Sequence, residues 1–331
     1  LAYPSALYAG PLVIKLDDAG DIINFHDSLG ENEKLADGPF GIRFEAYEDR
    51  PRHFDAWNVD VEDIRAEPIL AEPAHSIEVI DKYMLRIKRR IMNSEITQDV
   101  WIEGLTVKFD LRIDWQDRNT ILKMAFPTRS DAKTATYGTQ FGEVERPIER
   151  DTLSAAPRHE NAMHNHIWLD DFCGVHCDTK YAASVHEGVI RLTLLKSATW
   201  PDPQADAARH HITVDFCVGP LFDRWQMIKP GRLSKQIDTP ISISSYPWVV
   251  TEAVKKAEDS DLIVVRLANY RDGIASVDLI CMLLITAAWK ANLLEEPQEE
   301  LEVQQIQQKN VCTISLSLRP YEIVTLLIQP K

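Results

Sequence analysis

Three histidines and two cysteines lie close together near the middle of the sequence: His164, His166, Cys173, His176 and Cys177. Imidazole and thiolate groups are the ligands that zinc binds in tetrahedral sites, and His-x-His places two imidazoles on one face of a strand. The spacing matches none of the common zinc-finger or zinc-ribbon patterns. Exposed histidines on one strand and buried thiols on the next explain the same residues, so we predict no metal site in this chain.

Paired carboxylates are a second source of chemistry, because glycosidases place two of them on either side of the scissile bond. The chain has 51 Asp and Glu residues, and spacing alone selects no pair among them. A Gly-x-Ser-x-Gly elbow, a phosphate-binding Gly-rich loop and a His-Glu-x-x-His helix are all missing from the sequence. Residue spacing by itself therefore selects no catalytic residue in this chain.

Two stretches combine aromatic rings with carboxylates and amides: residues 47–60 (YEDRPRHFDAWNVD) and residues 198–206 (ATWPDPQAD). Such residue types suit sugar binding, because rings stack on the C–H face of a pyranose while carboxylates and amides accept or donate hydrogen bonds to hydroxyl groups. A structural corner, whose charges bind the turn backbone and whose tryptophan closes the end of a sandwich, explains the same residues. Both interpretations stay open at this point.

Period-two alternation dominates the elements that must position these stretches. Residues 105–116 alternate strictly between apolar and polar, which predicts a long strand with one buried face. Shorter alternating runs separated by turn residues predict antiparallel sheets packed face to face, and helical periodicity is limited to residues 251–257. Pro-Gly, Thr-Pro and a Ser-rich stretch within residues 229–246 predict a boundary, so we place a large β domain at residues 1–235 and a smaller β-sandwich at 236–331.

Charge and cysteine content narrow the partners and the compartment. The 36 basic and 51 acidic residues give a net charge of −15, which disfavours nucleic acid and anionic membranes as partners. No apolar run reaches the roughly 18 residues of a membrane helix. The five cysteines lack a disulfide-framework spacing, and no Asn-x-Ser/Thr acceptor occurs, which favours the cytoplasm. The chain opens on Leu1 without an initiator Met, so we expect a longer parent polypeptide.

Seven segments in a fixed order resemble the C-terminal β region of family 38 glycoside hydrolases, the class II α-mannosidases, of the bacterial and cytosolic type. They are residues 47–60, 122–127 (LKMAFP), 140–147 (QFGEVERP), 191–206 (RLTLLKSATWPDPQAD), 250–267 (VTEAVKKAEDSDLIVVRL), 292–296 (NLLEE) and 319–326 (RPYEIVTL). The resemblance implies a large antiparallel β supersandwich, similar in shape to galactose mutarotase, followed by a small β-sandwich.

The same resemblance implies a function for the parent chain. Family members hydrolyse terminal α-mannosyl linkages with retention, through an Asp nucleophile and a zinc ion held by Asp and His in a preceding catalytic domain. We therefore expect the present chain to be inactive alone, to support its own N-terminal catalytic domain, and to close one side of the pocket for a mannose-containing oligosaccharide. By this resemblance, the substrate-facing residues are Asp55, Trp57 and Asp60, with Lys196 and Trp200 as weaker candidates.

Residues 151–186 depart from the family pattern, because aromatic and glycine positions of the family are missing there, so we expect one edge of the groove to differ from that of the family. Two alternatives stay open: a stand-alone carbohydrate-binding or scaffold module, and a mutarotase-type epimerase with His53 and Glu48 as acid and base. A domain that docks against a catalytic domain should also expose an apolar patch. We expect such a patch on the large domain and self-association through it.

Overall fold

Antiparallel strands dominate the computed structural model, which describes residues 6–9, 12–27, 40–60, 63, 66–104, 106–128, 130–148, 160–169, 173–218, 241–243, 248–306 and 311–331. Two compact units are distinguished: residues 1–138 with 145–224, and residues 139–144 with 225–331. The predicted boundary at residue 235 lies outside the described residues. Within the described ranges, no helix has the length and apolar character that crossing a bilayer requires.

The first unit is built on a small sheet and a large one. The small sheet has the order β1-β2-β3, with β1 (Ala6–Ala9), β2 (Leu12–Leu16) and β3 (Ile22–Asp27). The strands of the large sheet are β4 (Arg43–Glu48), β5 (Ile69–Leu70), β6 (Ser76–Asp81), β7 (Met84–Ile91), β8 (Ser94–Glu103), β9 (Thr106–Asp114), β10 (Thr120–Pro127), β11 (Thr134–Thr139), β12 (Gly142–Pro147), β13 (Asn161–Trp168), β14 (Cys173–His186), β15 (Val189–Lys196) and β16 (Arg209–Val218). Their order across the sheet is β5-β4-β10-β15-β14-β16-β9-β8-β7-β6. A branch leaves this path at β14, which pairs with β13; β13 pairs with β11, and β11 pairs with β12.

The second unit is a sandwich of two sheets, with the orders β17-β20-β24-β23 and β18-β19-β25-β21-β22. Apolar side chains of both sheets, such as Leu279 and Leu326, are buried in one shared core. The strands are β17 (Ile241–Ile243), β18 (Val249–Lys256), β19 (Ile263–Asn269), β20 (Ala275–Cys281), β21 (Ile285–Ala291), β22 (Pro297–Leu301), β23 (Gln304–Ile306), β24 (Val311–Leu318) and β25 (Ile323–Pro330).

Most of the alternating stretch 105–116 is confirmed as strand β9, which runs from Thr106 to Asp114. Trp115 and Gln116 follow the strand, and Leu105 lies outside the described residues. Phe109 and its alternate neighbours are buried, and Phe109 meets Phe126 edge-on with ring centroids 6.1 Å apart. Phe126 also stacks on Phe216 of β16 at 5.5 Å. Each such ring contributes about 1.5–3 kcal/mol by leaving water. The prediction of a mainly β, antiparallel architecture is thus confirmed.

The polar face of β9 carries ion pairs that cross neighbouring strands. Asp99 on β8 accepts hydrogen bonds from Arg86 on β7 at 2.7 Å and from Arg112 on β9 at 2.6 Å. Burial by itself raises the pKa of Asp99, but these two guanidinium groups outweigh it and lower that pKa. The polar face of β9 is therefore held by charge pairs, and its other face by apolar packing.

One sequence expectation is wrong. The helical periodicity at residues 251–257 does not form a helix, because Val249–Lys256 is strand β18. This strand pairs with β19 along its length, and the pairing supplies the backbone hydrogen bonds that an isolated helix of about seven residues could not sustain. Tertiary pairing therefore overrides the local pattern.

Candidate functional site

Strands β4 and β15 end on the same side of the large sheet, and each is followed by a loop. The predicted site residues lie in these two loops or, for Lys196, at the end of β15. Strands β4 and β15 both pair antiparallel with β10, so they run parallel to each other with β10 between them. The β4 loop (residues 49–60) and the β15 loop (residues 197–208) therefore begin about 10 Å apart, the width of two strand spacings. Backbone bonds join them through Asn119, whose carbonyl accepts from Asp49 N (2.7 Å) and whose N–H donates to Ser197 O (2.8 Å).

Asp55 connects the β4 loop to the β15 loop. Its Oδ2 accepts hydrogen bonds from Thr199 N at 2.6 Å, Thr199 Oγ1 at 3.0 Å and Trp200 N at 3.0 Å. Partial burial by itself raises the pKa of Asp55, but the two backbone donors and the hydroxyl outweigh burial and lower that pKa. The ionised carboxylate is therefore the stable form, and one of its oxygens is committed to the β15 loop.

Trp57 and Trp200 form an exposed aromatic pair at this junction, with 65% and 58% of their surfaces exposed. Their ring centroids are 5.8 Å apart and the ring planes meet at 60°, an edge-on contact. The turn that presents Trp57 is closed by bonds from Trp57 N (2.8 Å) and Asn58 N (2.9 Å) to Phe54 O. Phe54 itself has a positive φ of 56° and is 66% exposed. Two indoles and one phenyl ring thus face solvent on neighbouring loops.

Lys196 points inward rather than toward solvent. Its Nζ forms an ion pair with Asp49 and donates to the backbone O of Asp55 at 2.8 Å. Asp49 is fully buried, and its Oδ1 has no hydrogen-bond partner among the described residues. Burial raises the pKa of Asp49, and Lys196 offsets only part of this effect. The lysine therefore compensates a buried charge and supports the backbone of the β4 loop.

Asp60 and Asp206 close the two loops locally. Asp60 Oδ2 accepts from the backbone N (3.1 Å) and Nε (2.9 Å) of Arg52, and these bonds lower its pKa. Asp206, which has a positive φ of 59°, accepts from Lys196 N at 3.0 Å.

Three residues of this site, Asp206, Asp49 and Thr199, were not selected from the sequence. A signal existed for Asp49, because an acid directly after a buried strand needs a cationic partner.

The structure therefore brings all five predicted site residues to one edge of the large sheet. Trp57 and Trp200 face solvent, whereas the carboxylates of Asp55 and Asp60 and the ammonium of Lys196 are bound by other groups of the two loops. The assignment of these residues to substrate stays a prediction. The exposed surface that they build is aromatic, and such a surface can bind the C–H face of a sugar ring.

The residues considered for a metal do not converge. Among the described residues, which include all five of them, no group of three or more His, Cys, Asp or Glu side chains could hold an ion. His176 Nδ1 lies 3.6 Å from Asp215 Oδ2. Cys173 and Cys177 are buried, and none of the five cysteines forms a disulfide.

His53 and Glu48, the acid and base of the epimerase alternative, are both exposed. The carboxylate of Glu48 pairs with Arg50 Nε at 2.8 Å. No observation on this surface favours an epimerase.

A cleft of about 620 Å³ lies elsewhere, across the polar face of β8, β9 and β16. Its charged groups neutralise one another, since Asp110 binds both Arg112 (3.0 Å) and His211 (2.7 Å) and Asp114 lies 3.4 Å from Arg209. None of the five predicted site residues lines this cleft. Its cross-strand ion pairs explain its composition without a ligand.

Comparison with known proteins identifies two family models along the chain. Residues 9–204 match the glycosyl hydrolases family 38 C-terminal domain, and residues 249–326 match the family 38 C-terminal beta sandwich domain. Alpha-mannosidase 2C1 of Mus musculus is 28% identical over 354 residues, and that of Homo sapiens is 27% identical over 352 residues. Each match covers 96% of this chain and 33% of the relative, so the chain spans about a third of the length of these relatives.

A solved structure supports the fold. The crystal structure of an α-mannosidase from Enterococcus faecalis V583 has a TM-score of 0.71 at 17% identity, covering 98% of this chain and 42% of that chain. The resemblance inferred from the sequence is confirmed by the family models over residues 9–204 and 249–326, and the solved structure supports the fold. Because the first family model alone matches more than half of its residues, the chain belongs to glycosyl hydrolase family 38, of which it represents the C-terminal region.

Proposed function

We propose that this chain is the non-catalytic portion of a retaining α-mannosidase that hydrolyses terminal α-mannosyl linkages, and that its β4 and β15 loops close one side of the mannose pocket. The curated relatives it matches are α-mannosidases that are about three times as long. The observation that carries the proposal is the exposed edge-on pair of Trp57 and Trp200 on two joined loops.

The chemistry of the two loops suits a wall better than a reaction centre. Retaining hydrolysis needs two carboxyl groups roughly 5 Å apart, one of them free to attack the sugar. Here Asp49 is buried against Lys196, and Asp55 and Asp60 accept hydrogen bonds within the loops. The described residues also hold no cluster fit for zinc, so we assign the zinc and the nucleophile to a catalytic domain outside this chain.

Activity assays test the division of labour. The chain alone, with an aryl α-mannoside and zinc, should give no turnover above buffer, whereas the protein that also contains the catalytic portion should be active. In that active protein, Trp57→Ala should raise KM. Tyr83→Ala is the control and should leave KM unchanged, because it removes an exposed ring between β6 and β7, at the far end of the strand order from β4. Turnover by the chain alone would refute the proposal.

A stand-alone sugar-binding module is the second candidate, because the aromatic pair is exposed within this chain itself. Such a module would bind methyl α-mannoside in calorimetry without any other domain, and Trp57→Ala would abolish the heat. No heat with any mannoside would leave only a scaffold role. The absence of nucleic-acid and membrane partners stays part of the proposal, supported by the net charge of −15. Cytoplasmic location also stays part of it, supported by five cysteines without a disulfide-framework spacing.

A further inference from the structure

The carboxylate of Asp55 is directed at the β15 loop. One of its oxygens, Oδ2, already receives three hydrogen bonds from Thr199 and Trp200. A carboxylate oxygen offers about two lone-pair directions, so this oxygen has no capacity left for a hydroxyl group of a ligand. The contacts of Asp55 are thus made to the neighbouring loop.

The same carboxylate links the loop of one exposed indole to the loop of the other. Asp55 is two residues before Trp57, and it binds the backbone N–H of Trp200 directly, 145 residues away in sequence. Its own carbonyl accepts from Lys196 Nζ at 2.8 Å, so the backbone of the β4 loop is held at this residue from a second side. Moving Asp55 would therefore move Trp57 relative to Trp200.

We propose that Asp55 is a positioning residue that holds Trp57 and Trp200 as one preformed platform for the C–H face of a pyranoside. The class of ligand in this proposal, a pyranoside, rests on the proposed function. Preforming a surface lowers the entropy lost when the ligand binds, so a loosened platform binds more weakly although both rings are still present.

Three variants separate positioning from direct contact. Asp55→Ala removes the acceptor, whereas Asp55→Asn keeps one oxygen that can still accept from Thr199 N and Trp200 N. Asp18→Ala removes an exposed carboxylate in the turn before β3 and serves as the control. The far-UV circular dichroism band of the β-sheet, which is read separately from the indole bands, shows whether each variant is folded.

The first readout needs no sugar. Two indoles in edge-on contact give an exciton-coupled pair of circular dichroism bands, which Trp57→Ala identifies by removing them. We expect Asp55→Ala to lose this signal, and Asp55→Asn and the control to keep it. Survival of the full signal in Asp55→Ala would overturn the proposal, whatever the sugar affinity is.

The second readout is the shift of the indole N–H resonances during titration with methyl α-mannoside. Asp55→Ala should weaken binding by about two- to tenfold, the value of one aromatic contact, and Asp55→Asn should bind within about twofold of the parent. Equal losses in Asp55→Ala and Asp55→Asn would show that the charge contacts the sugar and would refute positioning. If the parent chain does not respond to the sugar, the stand-alone binding module is contradicted. The circular dichroism signal of the two indoles then decides by itself whether Asp55 positions them.

Discussion

The buried pair of Lys196 and Asp49 gives the sharpest prediction for stability. Lys196→Met keeps the length of the aliphatic side chain and removes its charge, so it leaves Asp49 buried without a cation. Removing one partner of a buried pair costs about 3–5 kcal/mol, because the remaining charge stays desolvated. Lys196 is 18% exposed, which favours the lower end of that range. We expect a loss of about 3 kcal/mol, which includes the lost hydrogen bond to Asp55 O.

The pH dependence of this loss follows from Asp49. Its pKa is already raised in the folded chain, and without the lysine it rises further. The folded state then binds this proton more tightly than the unfolded chain does, so stability falls as the pH rises from about 4 through the folded pKa. The variant should therefore be most impaired at neutral pH and recover at acid pH. Adding Asp49→Asn should restore part of the stability at neutral pH.

Native-state hydrogen exchange of the β4 and β10 amides in urea measures this stability within the first unit alone. Lys88→Met is the matched control, because Lys88 pairs with Glu78 across 3.4 Å with both side chains at least one-third exposed. Such an exposed pair contributes less than about 1 kcal/mol. If Lys196→Met costs no more than Lys88→Met, or if its cost is the same at acid pH, the reasoning is refuted.

Three further predictions follow. Because its pKa is lowered, Asp99 stabilises the folded chain above about pH 4, and this stabilisation is lost as the pH falls through the folded pKa. In a plot of the free energy of unfolding against pH, Asp99→Asn should therefore reduce the slope on the acid side. Gly174→Ala should unfold the first unit at lower urea, because the new Cβ would clash with the ring of Trp168. Gly273→Ala, whose new Cβ meets none of the described residues within 4 Å, should leave the unfolding of the second unit unchanged. All five cysteines are buried, so a thiol reagent should label none of them before unfolding and five afterwards; native labelling would contradict this.

Several features of the fold could be predicted from local patterns alone. Strict alternation specifies which face of β9 is buried, because successive side chains of a strand point to opposite sides. Helical periodicity, a different local pattern, failed for residues 251–257, where pairing with β19 forms a strand instead. Aromatic and acidic residues in 47–60 and 198–206 were recognised as unusual, but their individual roles were not.

The sequence by itself determined the strands, the family and the two stretches from which a sugar-binding wall could be built, since these depend on periodicity and residue order. Only the tertiary structure decided what each side chain does. The strand order β4-β10-β15 brings Asp55 and Thr199, 144 residues apart, into hydrogen-bond contact. It also turns Lys196 inward to a buried carboxylate and leaves Trp57 and Trp200 outside. Such roles depend on which strands become neighbours, and strand adjacency is set by packing of the whole sheet, which no local stretch of sequence encodes.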